Sequence, residues 1–427
     1  MIPIAFQNLM LAAVSAGDSA MLGFVNENAM SAVSLASNVQ FVENLLLSSV
    51  VAGGTIMTAQ YWGKNDQHTV ERLFGLILRV AVIISAVFCG VAFFAPRFLM
   101  SLFTNEAVLI NLGADYIRIA AISYLLTGIS QCWLCVMKTT GQTKESAFIS
   151  TAALVLDTVL NAIFIFGFHM DVVGAALTTS ISRFVELMTV VLYTKKMAVR
   201  PCFRKVSKDV NRDFWRCGIP IFINSMVWGL GTTMYSVIIG HLGATITAAF
   251  AVANIVRQLA ISVCRGLGSG GEILLANVLG SGDLVKGKDY GSRLARLSIP
   301  CGFVCAVLAL VFGFCLSTFM TLSDAVRSDL NAMIVISALY MVSLSINTVV
   351  ICCVFSAGGD TAFDAYSVAV TMWLIILPVA FVCGFVLHLD PMIVYIILSL
   401  DEVIKIPWVF AHYKKYKWLK NLTRANT

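Results

Sequence analysis

Gly53-Gly54-Thr55-Ile56-Met57-Thr58-Ala59-Gln60-Tyr61-Trp62-Gly63-Lys64-Asn65-Asp66 returns later in the chain as Gly270-Gly271-Glu272-Ile273-Leu274-Leu275-Ala276-Asn277-Val278-Leu279-Gly280-Ser281-Gly282-Asp283. Both copies read Gly-Gly-x-Ile-x-x-Ala-(Gln/Asn)-x-x-Gly-x-x-Asp, and they lie 217 positions apart in a chain of 427. Ile2-Pro3-Ile4 and Ile219-Pro220-Ile221 share that offset. Cys135-Val136 with Gly141 and Thr143 recurs at 218 as Cys353-Val354 with Gly359 and Thr361. Agreement in three separate regions marks a duplicated unit.

The solvent of that unit follows from composition. The chain is 59% hydrophobic and 12% charged, with mean hydropathy +0.88, whereas a soluble domain is about 25% charged. No soluble core of this size hides so much apolar surface, so lipid surrounds most of it. Apolar stretches near 3–24, 33–58, 72–95, 114–137, 147–168, 171–194, 217–240, 248–278, 293–320, 329–356, 364–388 and 391–411 predict twelve spans, six per repeat. No room remains for a nucleotide-hydrolysing module. An even number of spans makes both halves enter from one side, so the repeats are parallel, a pattern found in secondary transporters.

Loop charge predicts orientation. Alternate loops carry Lys64 and Arg72, then Lys138 and Lys144, then the basic run from Lys195 to Arg216, then Lys286 to Arg296. The intervening loops carry Glu27, Glu106, Asp171, Asp324, Asp329 and Asp390. The positive-inside rule then puts both termini in the cytoplasm. It also accounts for the net charge of +6 through contact with membrane lipid and without nucleic acid. Met1 stands directly against the first span, so the expectation is that no signal peptide precedes it.

Several motifs mislead. Gly266-Leu267-Gly268-Ser269-Gly270-Gly271 imitates a dinucleotide loop, yet it lies inside an apolar span, where glycine serves close helix packing. Gly282 to Lys288 resembles a phosphate loop, but Asp289 stands where a Ser or Thr must meet magnesium. Cys132 and Cys135 fall on a helix with no second pair, which reads as packing. The histidines form no ligand cluster.

The repeated motif, the Ile-Pro-Ile openings, Asp18-Ser19-Ala20-Met21-Leu22-Gly23, Asn161-Ala162-Ile163-Phe164-Ile165-Phe166-Gly167 and Gly174-Ala175-Ala176-Leu177-Thr178-Thr179 together resemble the multidrug and toxic compound extrusion (MATE) family, bacterial type. The resemblance covers essentially the whole chain. It implies an all-α integral membrane protein whose twelve helices form two six-helix lobes around a central cavity. The N-lobe is 1–194, a basic cytoplasmic linker 195–216, the C-lobe 217–411, and the cytoplasmic tail 412–427. It also implies a monomeric, multi-pass antiporter of the plasma (inner) membrane that is not an enzyme and carries no cofactor. Such a protein exports cationic or amphipathic small molecules, drugs and toxic metabolites among them, in exchange for H+ or Na+ by alternating access.

Ionisable groups at mid-bilayer depth cost at least about 2.5–3.5 kcal/mol, so each asks for a reason. Asp18 lies in the first span. Asp157 and Asn161 share one face of the fifth, and Thr178 or Thr179 on the sixth adds a hydroxyl. Two carboxylates with amide and hydroxyl oxygens suit a proton or a hard cation such as Na+; the structural alternative is that Asp18 only caps or bonds helices. Family members carry an acid on the first helix, which Asp18 matches, but commonly place Asn before the acid on the fifth; here Asp157 precedes Asn161. Some relatives also place acids on the seventh and tenth helices. The corresponding stretches here offer Asn224, Ser225, Trp228, Ser345 and Asn347, so coupling is expected in the N-lobe.

A second charged set is Glu43, Arg183, Glu186 and Arg257, with Arg265 and Glu272. Arg183 and Glu186, three apart, read either as a self-neutralising pair or as part of an ion-pair network lining the cavity. Met21, Phe41, Trp228 and Tyr235, with Met226 and Met234, form the substrate surface if they face inward, because Met and aromatic groups repack and offer cation–π contacts. Two rivals remain. A flippase or exporter of a lipid-linked or polyisoprenoid precursor calls for a cationic cavity. A membrane enzyme calls for a nucleophile–base pair or metal cluster, and neither stands out.

Overall fold

The computed structural model describes residues 27–168, 170–320 and 323–424, with Pro3, Ile4, Phe6, Gln7 and Met10. Asp18 and Met21 lie outside the described residues. Among those described the regular structure is all helical, with no strand, because a backbone in hydrocarbon must satisfy its own hydrogen bonds.

The elements follow the duplication. Helix α1 (Glu27–Gly63) and helix α2 (Gln67–Phe94) of the first repeat answer to α7 (Ala244–Gly280) and α8 (Leu284–Phe319) of the second. Between them come α3 (Ala107–Thr139), α4 (Thr143–Gly167), α5 (Asp171–Tyr193) and α6 (Lys208–His241). The second repeat continues with α9 (Asp324–Phe355), α10 (Ala362–Val386), α11 (Pro391–Leu398) and α12 (Asp401–Tyr413). The repeated Gly-Gly motif ends in a helix stop, a turn and a restart. Asn65 (φ 63°) and Gly282 (φ 85°) take the left-handed position that ends one helix, a conformation Asn and Gly reach most cheaply. Asp66 then accepts from the Thr69 N–H, and Asp283 from the Lys286 N–H, satisfying first-turn donors of the next helix.

Ten described helices are long and apolar enough to cross a membrane. Two of the twelve predicted spans differ from that picture. The first lies mostly outside the described residues. The last, 391–411, is divided: Ser399 bonds back to the Tyr395 carbonyl at 3.0 Å, a side-chain bond that competes with helix propagation, and the chain restarts at Asp401. Helical segments of π type occur at Ile163–Gly167, Val350–Phe355, Ala369–Ile376 and Val382–Val386.

The chain forms two compact units, Met10–Phe214 with Arg424–Thr427, and Met1–Leu9 with Trp215–Thr423. The division falls inside α6, within the basic segment 195–216. In the first unit, Val33, Ala36, Ile117, Tyr124, Ile165 and Ala176 form the core. In the second, Ile239, Phe250, Met333, Met372 and Tyr395 do. Phe94, Phe148, Leu339 and Leu374 stay exposed, as lipid-facing residues do. The start of the basic segment docks on α2: Arg79 donates to the Phe203 carbonyl at 2.6 Å, and the Cys202 N–H to the Glu71 carbonyl at 3.0 Å.

Candidate functional site

Within the first unit, α4 carries Asp157 and Asn161 one turn apart, and α5 packs against it. Thr178 of α5 donates its hydroxyl hydrogen to Asn161 Oδ1. Thr179, the other threonine considered, bonds the Ala175 carbonyl of its own helix at 3.0 Å. The hydroxyl that meets the amide is therefore that of Thr178, which is fully buried. Side by side, two threonines offer no sequence signal for which one faces α4; the helix phase decides it.

Asp157 Oδ1 is buried without a hydrogen-bond partner. The Arg183 guanidinium and the Ser182 hydroxyl of α5 are the groups acting on its carboxyl. Arg183 also donates to Glu186 Oε2 at 2.9 Å, and Ser130 of α3 donates to that same oxygen at 3.3 Å. Glu186 is 1% exposed, so its charge is neutralised away from water by an arginine that keeps partial exposure. Asp157, Asn161, Thr178, Ser182, Arg183 and Glu186 thus form one polar seam along α4 and α5. Its open lone pair on Asp157 is chemically suited to a proton or a small cation.

The other members of the charged set sit elsewhere. Glu43 of α1 is buried beside Ser85 of α2. Arg257 belongs to the second unit, where its guanidinium lies 4.4 Å from the Tyr340 ring centre. Of the aromatic residues considered for a substrate surface, Phe41 is half exposed, and Tyr235 is buried in the second unit's core. The Trp228 ring lies 5.9 Å from the Arg265 guanidinium. The twin cysteines are ordinary helix residues: Cys132 Sγ bonds the Gly128 carbonyl at 3.1 Å, and Cys135 Sγ meets the Thr55 hydroxyl at 3.1 Å.

Sequence reading missed a dense polar cluster in the second unit. Lys405 Nζ meets Glu402 Oε1 at 2.6 Å, and Asn347 Nδ2 donates to Glu402 Oε2 at 2.8 Å. Tyr235 bonds Asp401 at 3.4 Å, and Asn224 donates to Asp364 Oδ2 at 2.7 Å. Asp401, Glu402 and Lys405 are all buried. The available signal was a charged triplet at helical spacing inside the last apolar stretch. Asn224 and Asn347, read as places where acids are missing, instead hold the acids of α10 and α12.

Comparison with known proteins gives a consistent result. The family model MatE matches residues 3–163 and 220–382, one match per repeat. The chain is 20% identical over 411 residues to the uncharacterized transporter YisQ of Bacillus subtilis, covering 94% of this chain and 90% of that one. It is 21% identical over 396 residues to the probable multidrug resistance protein YoeA of Bacillus subtilis, covering 89% and 85%. The crystal structure of the Vibrio cholerae MATE transporter VcmN in its bent form superposes with a TM-score of 0.87 at 18% identity, covering 98% of this chain and 96% of that one. At that identity the superposition speaks for the fold.

Proposed function

The chain belongs to the MatE family, whose members are membrane transporters and not enzymes, and we propose that it exports cationic or amphipathic small molecules in exchange for H+ or Na+. The observation that carries this reading is Asp157: a buried carboxyl oxygen without a partner, one turn from the Asn161–Thr178 bond and beside Arg183. Uptake of a cation there changes the charge balance around Arg183 and thereby biases α5 against α4, which is the kind of differential contact that alternating access needs. Asp18 completes the cation site in this reading, although it lies outside the described residues. In this reading the protein lies in the plasma membrane, and the charge of its basic loops supports cytoplasmic termini.

The test is reconstitution. Purified protein in liposomes, loaded with a fluorescent organic cation, is given a pH gradient or a sodium gradient. Dye movement driven by one gradient and abolished by its collapse supports the reading and selects the ion. Movement of a lipid-linked precursor with no dye transport under either gradient would replace it with the flippase reading.

A further inference from the structure

The interior of the first unit holds another carboxylate that the Asp157 seam does not use. Glu43 of α1 is 1% exposed, and its Oε1 has no hydrogen-bond partner. Polar groups on the neighbouring helices interact with it. Ser85 Oγ of α2 stands beside the carboxyl, outside formed hydrogen-bond geometry, and Cys89 of α2 and Tyr124 of α3 lie within reach of its charge. Ser85 Oγ, Tyr124 Oη and Thr127 Oγ1, the last one turn along α3, are likewise buried with no partner.

The crowding has a backbone cause. Gly128 lets α3 approach α2 here, since a Cβ at that position would lie 2.1 Å from Ser85 Oγ. A buried polar atom left unpaired is expensive, and native interiors hold few of them. The unpaired oxygens of Glu43 and Ser85, side by side, with the unpaired Tyr124 hydroxyl within reach of the same charge, point to an occupant. Charge gives its sign. No Lys or Arg acts on Glu43 among the described residues. Among the described residues of α2 and α3, Cys89 and Tyr124 are its titratable neighbours, and the short helix Pro96–Ser101 also packs on α1. Helix α5 also packs on α1, but its Arg183 is engaged with Glu186 and Asp157. A carboxylate in such a place takes up a cation.

We propose that Glu43, with the hydroxyls of Ser85 and Tyr124, forms a second monovalent-cation site in the first unit, separate from Asp157, that takes up one proton or one sodium ion. A proton taken from water binds a Glu43 oxygen and leaves a neutral acid that donates to a neighbouring hydroxyl. A sodium ion instead sits among the carboxylate and hydroxyl oxygens. Its part in exchange rests on the exporter reading; the binding does not.

Infrared difference spectroscopy on the full chain in nanodiscs separates these outcomes. Spectra are taken across pH steps without sodium and on adding sodium at fixed pH, for the wild type, Glu43→Gln and Asp157→Asn. We expect a carboxyl signal that Asp157→Asn keeps and Glu43→Gln loses. Appearance in the pH series identifies the proton, and appearance in the sodium series identifies the metal ion. Superimposable wild-type and Glu43→Gln spectra in both series would overturn the proposal. Should Glu43→Gln not fold, Tyr124→Phe and Ser85→Ala serve: each is expected to weaken the titrating interaction about tenfold, the effect of one lost hydrogen bond, and no shift in either would overturn the proposal. A Glu43 signal in a protein that moves no dye would leave this site standing and remove the exporter reading; dye transport with superimposed spectra does the reverse.

Discussion

Thr178 gives its hydroxyl hydrogen to Asn161 Oδ1, across the contact between α5 and α4 and one turn from Asp157. That bond fixes which way the amide faces, so it orients the oxygen set around any cation held there. Thr178→Ala is expected to cost about 1 kcal/mol of stability and to raise the concentration of coupling ion needed for half-maximal transport. Thr179→Ala, whose hydroxyl serves only its own helix, should change neither. Ion-titrated dye transport by the two variants checks the contrast.

Arg183 and Glu186 make the second prediction. Removing the cation by Arg183→Ala leaves Glu186 buried without its 2.9 Å partner, a change worth about 3–5 kcal/mol in comparable buried pairs. The double variant Arg183→Leu/Glu186→Leu should recover part of the thermal stability, because Glu186 no longer stands charged and unpaired, while Asp157 still lacks the Arg183 guanidinium. Melting of the purified proteins in detergent measures both. Equal melting of wild type and Arg183→Ala would contradict it.

Much of the architecture was legible before any coordinates. The offset of 217 marked a duplicated unit, and in both copies the structure ends one helix, turns and caps the next at the same motif positions. Helix ends were less legible. Apolar windows underestimated α1 and α8, since helices outlast the hydrocarbon and continue through polar turns that hydropathy discards. At the site, the four-residue spacing of Asp157 and Asn161 was enough to unite them. Choosing Thr178 over Thr179 required the phase of α5. The acids of the second unit lie on α10 and α12, away from the helices where Asn224 and Asn347 stand. What those amides contact depends on long-range packing of α10 and α12, which no local spacing reveals.

That second-unit cluster yields a further expectation. Lys405→Ala strips Glu402 of a 2.6 Å partner in a buried setting and should destabilise by about 3–5 kcal/mol. Glu402→Gln in the same chain should relieve part of the loss. Thermal melting of the single and double variants decides whether Lys405 and Glu402 act as one unit.

The repeated caps predict a pH effect outside the membrane. The Lys286 backbone N–H, followed by its ammonium group, holds the Asp283 carboxyl below the usual carboxylate range. Its contribution is therefore complete at neutral pH, above the unfolded value, and is lost as pH falls through the lowered folded value. Asp283→Ala should remove that acid-side dependence, and Asp66→Ala, at the matching cap, should cost about 1 kcal/mol. Melting curves between neutral and acidic pH read both.

Gradient-driven dye transport by Asp157→Asn, in liposomes where its incorporation equals that of the wild type, tests the central claim most directly. Coupling through this carboxyl predicts that the variant folds and inserts but no longer moves dye in response to the proton or sodium gradient. Transport by Asp157→Asn that follows the imposed gradient as the wild type does would contradict it.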